Sequence, residues 1–217
     1  MSQLIFRFPF KATYYKEDFY VSSNNFSAYR LLENWPDWPD KLINIHGFRG
    51  CGKTHLINIL KKKTNIHIFD ANEINDTILE KIKDTKGLII DNFKNNIAEN
   101  LFYSLINQVK QDDQYIVINS LKPIKQSNIQ LIDLKSRLES FIDISINLPT
   151  DDLLRVILTK TFSDKQITVN IKFLEYILKN IDRSYEKIFK FVKDIDKESL
   201  SSGKSINISL IKKVLNK

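Results

Sequence analysis

The sequence is poor in the residues that would assign it to a class at once. Its 217 residues include one cysteine, Cys51, so no disulfide can form within the chain. The histidines His46, His55 and His67 are scattered, and their spacing is not that of a zinc site. No run approaches the ~20 apolar residues needed to span a bilayer. We therefore expect a cytoplasmic protein that is neither stapled by disulfides nor in contact with a membrane.

The charge is unbalanced but not concentrated. The formal net charge is +7, with 33 lysine and arginine residues against 26 aspartate and glutamate residues. A nucleic-acid interface would show in the sequence as a block or a stripe of lysine and arginine residues. Here the lysines are spread along the whole chain instead. Direct DNA contact is therefore expected to be weak at most.

Glycine is scarce, and its positions are informative. The chain has five glycines, and three of them fall within residues 47–52. The segment GFRGCGKT, residues 47–54, matches the phosphate-loop pattern G-x-x-x-x-G-K-[ST]. In this pattern backbone N–H groups surround phosphate oxygens, the lysine reaches the terminal phosphates and the hydroxyl coordinates Mg²⁺. The residues expected at the nucleotide are Gly47, Gly50, Cys51, Gly52, Lys53, Thr54 and His55.

The hydrophobic pattern alternates between strand and helix. It predicts strands over 41–47, 65–70, 87–91, 114–120 and 141–148, and helices over 24–34, 53–63, 73–84, 97–110 and 134–138. Alternation of this kind indicates an α/β fold with a mainly parallel sheet. Beyond Pro149 the pattern becomes helical, over 151–163, 170–181, 183–197 and 207–216. We predict an N-terminal arm (1–22), a nucleotide-binding α/β domain (23–149) and a small helical lid (150–217).

Polar residues follow two of the predicted strands. Asp91 ends the apolar run GLII and is placed to hold Mg²⁺, with Thr54, opposite the phosphate loop. Asn92 comes next, where many ATPases have a carboxylate. Because an amide cannot take a proton from water, intrinsic ATP hydrolysis should be weak or absent. Asn119 ends the fourth strand and either contacts the terminal phosphate or simply belongs to a turn.

Several segments in order carry a family resemblance. Four segments resemble the AAA+ module of the bacterial replication initiator DnaA, and most of all its small paralogues of the Hda type, regulatory inactivators of DnaA. In chain order they are GKTHL after the loop, LIIDN, DLKSRL and IDRSYEKIF. The resemblance covers nearly the whole chain. It implies a P-loop AAA+ sheet flanked by helices, an all-helical lid, and ADP or ATP with Mg²⁺ as cofactors.

The resemblance also implies roles for two arginines. By position Arg137 is the arginine finger, which acts in trans on nucleotide bound by a neighbouring subunit; the alternative is a surface cation. Arg183 is the residue that reads nucleotide in cis; the alternative is an ordinary residue at a helix start. Leu121 departs from relatives that carry an aspartate there, which puts fine nucleotide sensing at that strand in doubt.

The N-terminal QLIFRF is similar to the peptide by which such proteins bind the sliding clamp, the β subunit of DNA polymerase. Its expected contacts are Gln3, Leu4, Phe6 and Phe8. An exposed extended arm with alternating apolar residues suits docking into a groove, whereas the alternative is a first strand packed on the core.

Together these expectations describe a negative regulator of replication initiation. It would bind ADP or ATP and the DNA-loaded clamp, and would stimulate hydrolysis of ATP bound to DnaA, with a homo-oligomer also possible. No helix-turn-helix pattern follows the lid, which argues against direct origin binding. The rivals are a stand-alone AAA+ ATPase such as a helicase loader, a nucleotide kinase, and a DNA-bridging protein suggested only by charge.

Overall fold

The computed structural model describes residues 14–203 and 205–216. Within those residues, five strands form one parallel sheet in the order β2-β3-β4-β1-β5. The strands are β1 (Leu42–Gly47), β2 (Ile66–Asp70), β3 (Gly87–Phe93), β4 (Tyr115–Ser120) and β5 (Ile142–Ile146). The prediction of a parallel sheet flanked by helices is confirmed. Parallel strands that pair through helical connections bring their carboxyl ends to one edge, where ligands bind in open α/β sheets.

The central strands are buried on both faces. Leu88, Ile89 and Ile90 of β3 are fully inaccessible to solvent, as are the apolar residues of β4 from Ile116 to Ile118. Helices cover both faces of a parallel sheet, so its inner strands are continuous apolar runs without alternation. The edge strand β2 differs, since only Ile66 among its residues is buried.

Five helices belong to the sheet part of the chain as described. They are α1 (Phe26–Glu33), α2 (Lys53–Lys63), α3 (Ile78–Lys81), α4 (Glu99–Gln111) and α5 (Ile132–Glu139). Short 3₁₀ turns lie at Lys16–Asp18, Ala71–Glu73 and Ile124–Gln126. One stripe of α4 packs on the sheet through Phe102, Leu105, Ile106 and Val109, all essentially inaccessible to solvent. This apolar stripe at helical spacing explains why the segment folds as a helix.

Several element bounds differ from the sequence-based prediction, most of all those of the third helix. The helix predicted over 73–84 is wrong in extent, because it is reduced to Ile78–Lys81. Asn75 Oδ1 accepts hydrogen bonds from the backbone N–H and the hydroxyl of Thr77, at 3.1 and 2.7 Å, and this local turn competes with a helix. Strand β3 continues past Asp91, and its pairing with β4 shifts register between Ile90 and Phe93.

The C-terminal helices form their own core. They are α6 (Asp151–Asp164), α7 (Ile171–Asn180), α8 (Tyr185–Ser202) and α9 (Ile208–Leu215). Each begins after a side chain that accepts a backbone N–H in its first turn: Thr150, Asn170, Ser184 and Asn207. Leu158, Ile177, Ile188, Val192 and Ile211 are fully buried between them. Capping and burial together account for four stable helices in this segment.

The described chain divides into a sheet unit, Tyr14–Asn147, and a helical unit that begins at Leu148. The three-part division at 1–22, 23–149 and 150–217 stays a prediction. The clamp-like peptide with Gln3, Leu4, Phe6 and Phe8 lies outside the described residues. In the part of the chain described, no helix is both long enough and apolar enough to cross a membrane.

Candidate nucleotide-binding site

The loop between β1 and α2 requires glycine at two positions. Gly52, directly before α2, has φ 100°, in the left-handed region that other residues rarely adopt. A Cβ atom there would lie 2.8 Å from Cε2 of Phe19, and one at Gly47 would lie 2.5 Å from the carbonyl oxygen of Ile146 in β5. The first N–H groups of α2 have no acceptor within the helix, so this loop ends on groups that bind anions.

Lys53, the first residue of α2, is folded back over the loop. Its ammonium group donates to the carbonyl oxygens of Gly47 and Phe48 at 2.6 and 3.0 Å, and it lies 3.6 Å from Sγ of Cys51. Burial raises the pKa of the Cys51 thiol, with Lys53 acting in the opposite direction. Burial, reinforced by the ammonium groups of Lys53 and Lys125, lowers the pKa of His46. The loop therefore carries the positive charge of Lys53 beside a buried, neutral thiol.

Thr54, Asp91 and Asn119 meet at the carboxyl edge of the sheet. The Thr54 hydroxyl donates to Oδ2 of Asp91 at 2.9 Å, and the Asn119 amide donates to Oδ1 at 3.1 Å. Asp91 is 8% exposed and Asn119 is fully buried. The side-chain oxygen of Asn119 has no hydrogen-bond partner, although buried polar atoms normally have one. The structure thus brings together three of the residues predicted from separate segments.

The donor set at Asp91 fits a Mg²⁺ ion that is bound together with phosphates. One carboxylate and one hydroxyl are oxygen donors of the kind that Mg²⁺ takes while keeping phosphate and water ligands. Among the described residues no cluster of three or more histidine, cysteine or acidic side chains would hold a metal ion on its own. A cation here would therefore depend on the polyphosphate for most of its ligands.

Comparison with solved structures identifies the architecture. Domain III of the replication initiator DnaA from Thermotoga maritima superposes with a TM-score of 0.77, over 96% of this chain and 98% of that domain, at 19% identity. The chain has the AAA+ fold of DnaA domain III. DnaA from Aquifex aeolicus bound to AMPPCP superposes with a TM-score of 0.66 at 18% identity, over 86% of this chain and 66% of that one.

Sequence comparison points the same way at low identity. The chain is 26% identical over 220 residues to DnaA of Buchnera aphidicola, across 88% of this chain and 49% of that protein. It spans about half the length of the DnaA initiators it matches. It is also 22% identical over 213 residues to an uncharacterized protein of Haemophilus influenzae, across 92% of both. No family model matches the chain.

An aromatic segment before α1 covers the beginning of α2 in this DnaA-like unit. The ring of His55 makes edge contacts with Tyr14 and Phe19, with centroids 5.4 and 5.5 Å apart. Its Nε2 lies 2.7 Å from the carbonyl oxygen of Tyr15, and Lys62 donates to that of Tyr14 at 2.6 Å. The structure therefore gives His55 an anchoring contact with this segment, which the loop motif alone did not indicate.

Asn92 has a contact that the sequence did not indicate. It adopts a left-handed backbone with φ 60°, and its amide nitrogen donates to Oδ2 of Asp70, at the end of β2, at 2.6 Å. Asp70 was missed because an apolar run that ends in aspartate is common at a strand end. The signal in the sequence was that IHIFD and GLIID both end in aspartate. Strands that pair in register bring such ends together, as β2 and β3 do here.

The two predicted arginines lie in different units. Arg137, on α5, is partly exposed, and among the described residues no carboxylate pairs with its guanidinium group. Arg183 lies just before Ser184, the N-cap of α8, and is 68% exposed. Its guanidinium group donates to Oδ2 of Asp151, in the first turn of α6, at 2.9 Å. Arg183 is therefore an inter-helix link within the helical unit and not part of a helix.

Proposed function

We propose that this chain binds an adenine nucleotide, ADP or ATP, with Mg²⁺, and acts as a regulator of the replication initiator DnaA. The observation that carries the proposal is the Thr54–Asp91–Asn119 cluster beside a glycine loop that ends on a helix N-terminus. The fold of DnaA domain III supports adenine as the base, since one such neighbour is an AMPPCP complex.

The loop residues divide the work of binding. Backbone N–H groups of residues 50–54 take the phosphate oxygens, and the N-terminal end of α2 adds its favourable dipole. Lys53 exchanges its carbonyl contacts with Gly47 and Phe48 for the terminal phosphates, because a charge-assisted bond to phosphate is stronger than one to a neutral carbonyl. Thr54 and Asp91 hold Mg²⁺, which neutralises the phosphate charge.

Hydrolysis by the chain itself is slow in this proposal. Asn92 follows Asp91 and carries an amide, which orients water but cannot accept its proton. Its amide nitrogen is already engaged by Asp70. Nucleotide therefore works chiefly as a structural ligand, and the protein's effect falls on another ATPase.

Arg137 supplies that effect. A partly exposed guanidinium group without a carboxylate partner in the described chain is available to a second molecule. In P-loop enzymes an arginine provided from outside stabilises the transition state and contributes about 10³ to 10⁵ in rate. We infer that Arg137 reaches ATP bound by DnaA, while Gln3, Leu4, Phe6 and Phe8 tether the protein to the sliding clamp. Arg183 reads the protein's own nucleotide.

The test is the ATPase of purified DnaA with and without this protein. Wild type should accelerate hydrolysis, and Arg137→Ala should bind nucleotide normally yet give no acceleration. Lys135→Ala is the matched control, because Lys135 is an exposed cation two positions away, on the opposite side of α5. Equal stimulation by wild type and Arg137→Ala would contradict the proposed mechanism.

The clamp contact needs a separate test. Replacing Gln3 and Leu4 with alanine should abolish co-elution with the β clamp and leave nucleotide affinity unchanged. Unchanged co-elution would remove the clamp from the proposal.

Steady-state turnover of about 1 s⁻¹ or more by the isolated protein would instead favour a stand-alone ATPase.

A further inference from the structure

A carboxylate at the start of α4 holds the start of α5, the helix that carries Arg137. Glu99, the first residue of α4, accepts the backbone N–H of Gln130 through Oε1 at 3.0 Å and through Oε2 at 3.2 Å. Its Oε2 also accepts the N–H of Leu131, the residue before α5, at 2.7 Å. These bonds join residues 31 and 32 positions apart in the sequence, so they tie the beginning of one helix to the beginning of another.

The N-cap residue of α5 supplies no cap. This residue is Leu131, whereas each of the four C-terminal helices begins after a side chain that accepts a backbone N–H. Serine, threonine, aspartate or asparagine at the N-cap would accept an N–H of the first turn. Glu99 brings a negative acceptor from α4 instead, and negative charge at a helix N-terminus also interacts favourably with the helix dipole. The beginning of α5 is therefore fixed from another helix.

A second contact holds the loop before α5 to the same region. The amide of Asn95, in the loop between β3 and α4, donates to the carbonyl oxygen of Asn128 at 3.1 Å. The backbone of Asn95 is left-handed, with φ 60°. The approach to α5 is thus held at two points by the segment that follows β3, the strand of Asp91. Of these two contacts, only the one from Glu99 reaches the residue next to the helix.

The position of Arg137 depends on how α5 is held. The helix has eight residues, Ile132–Glu139, and is about 12 Å long. Leu134 and Leu138 are essentially inaccessible to solvent and pack into the core of the sheet unit. Two leucines on one stripe determine which side of the helix faces the core, and the bonds to Glu99 limit sliding along the helix axis. Because Arg137 directly precedes Leu138, its guanidinium group moves with the helix.

We propose that Glu99 is a positioning residue for Arg137: by holding the start of α5 it sets the place from which the guanidinium group reaches ATP bound by a second molecule. This inference rests on the proposed role of Arg137. Glu99 contacts the backbone before α5 and acts on hydrolysis only through that helix. An arginine supplied from outside contributes about 10³ to 10⁵ in rate, and a displacement of about 1 Å costs up to about 10²-fold. Loss of the Glu99 contact should therefore remove much of the rate enhancement that Arg137 provides.

The Glu99→Ala variant removes both acceptor oxygens. In the ATPase assay with purified DnaA, the stimulated rate at saturating variant should fall by about tenfold or more, because Arg137 acts in the transition state and is misplaced. The concentration that gives half of the maximum should stay within about twofold, as should the Kd of the variant for its own nucleotide, since Asp91 and the glycine loop are unchanged. Glu99→Gln keeps one acceptor oxygen for the N–H of Leu131 and should retain more stimulation than Glu99→Ala.

The shape of the titration separates positioning from a structural role. A variant that is only partly folded acts like a smaller amount of wild-type protein, so its curve shifts to higher concentration and reaches the same plateau. A displaced Arg137 lowers the plateau and leaves the midpoint unchanged. Each titration is run well below the melting temperature of the variant, which thermal unfolding measures.

Glu139→Ala is the matched control. Glu139 is an exposed carboxylate on α5, on the side away from Arg137, and its loss should leave plateau and midpoint unchanged. The inference is overturned if the Glu99→Ala plateau lies within about twofold of wild type, if only the midpoint shifts, if Glu99→Gln is no better than Glu99→Ala, or if Glu139→Ala lowers the plateau equally. Failure of wild type to stimulate DnaA, or equal stimulation by Arg137→Ala, would instead refute the proposed function.

Discussion

Thr54→Val removes the hydroxyl that joins α2 to β3 while keeping a β-branched side chain. In the nucleotide-free protein the change deletes the bond from Oγ1 to Oδ2 of Asp91, at 2.9 Å. A hydrogen bond to a charged group contributes ~1.5–3 kcal/mol. Asp91 keeps its donors from Asn92 and Asn119, so we expect the lower end, about 1.5 kcal/mol. For a chain of this size that lowers Tm by roughly 3–6 °C.

The larger effect of Thr54→Val should fall on metal-dependent binding. With Mg²⁺ the variant loses one oxygen ligand, and nucleotide should bind about tenfold more weakly or worse, which corresponds to about 1.4 kcal/mol. In EDTA the two proteins should bind alike, because the loop amides and Lys53 are unchanged.

Fluorescence titration with a labelled ATP analogue, in Mg²⁺ and in EDTA, measures the nucleotide affinity with and without the metal. Thr54→Ser keeps the hydroxyl and should keep the gain in affinity that Mg²⁺ brings. If Thr54→Val retained the full Mg²⁺ gain, Thr54 would not be a metal ligand, and the assignment of its contact with Asp91 to a metal site would be wrong.

Two further predictions address the loop and its surroundings. Gly52→Ala should destabilise the protein by more than Gly203→Ala. Both positions have positive φ, so both variants suffer left-handed strain of ~1–2 kcal/mol, but only at Gly52 does the new Cβ meet a neighbour, the Phe19 ring at 2.8 Å. Equal losses of stability in thermal unfolding would exclude the Phe19 contact. His46→Gln should flatten the pH dependence of stability. In the folded state the pKa of His46 lies below its unfolded value of about 6.5. The contribution of His46 to folding stability is therefore present above the unfolded value and is lost as pH falls through the folded pKa. Urea midpoints of wild type and variant should converge below pH 6, and an unaltered pH dependence would count against burial of this ring.

Much of the sheet unit was predictable because its signals are local. The apolar runs of the inner strands and the glycine loop each carry their own physical cause, so β1, the loop and α2 were predicted to within a residue. The four C-terminal helices were also recognisable, since each follows a capping side chain and keeps an apolar stripe.

The rest depends on individual side-chain contacts, one of them local and the others between distant segments. The Asn75 turn that shortens α3 involves a side chain competing with the backbone, which periodicity does not register. The bond between Asp70 and Asn92 requires the register of β2 on β3 together with a left-handed backbone at Asn92. The pairing of Arg183 with Asp151 similarly joins residues 32 positions apart. Neither the bond between Asp70 and Asn92 nor the pair of Arg183 with Asp151 is visible in any one window of sequence.

The most direct measurement is calorimetric titration of the purified full chain with ADP and with ATP in Mg²⁺, alongside Lys53→Ala. The account predicts saturable binding by wild type, with a rise in Tm that grows with nucleotide concentration, and neither heat nor stabilisation for Lys53→Ala. Equal behaviour of the two proteins, or no binding by wild type at saturating nucleotide, would contradict the assignment of residues 47–54 as a phosphate site.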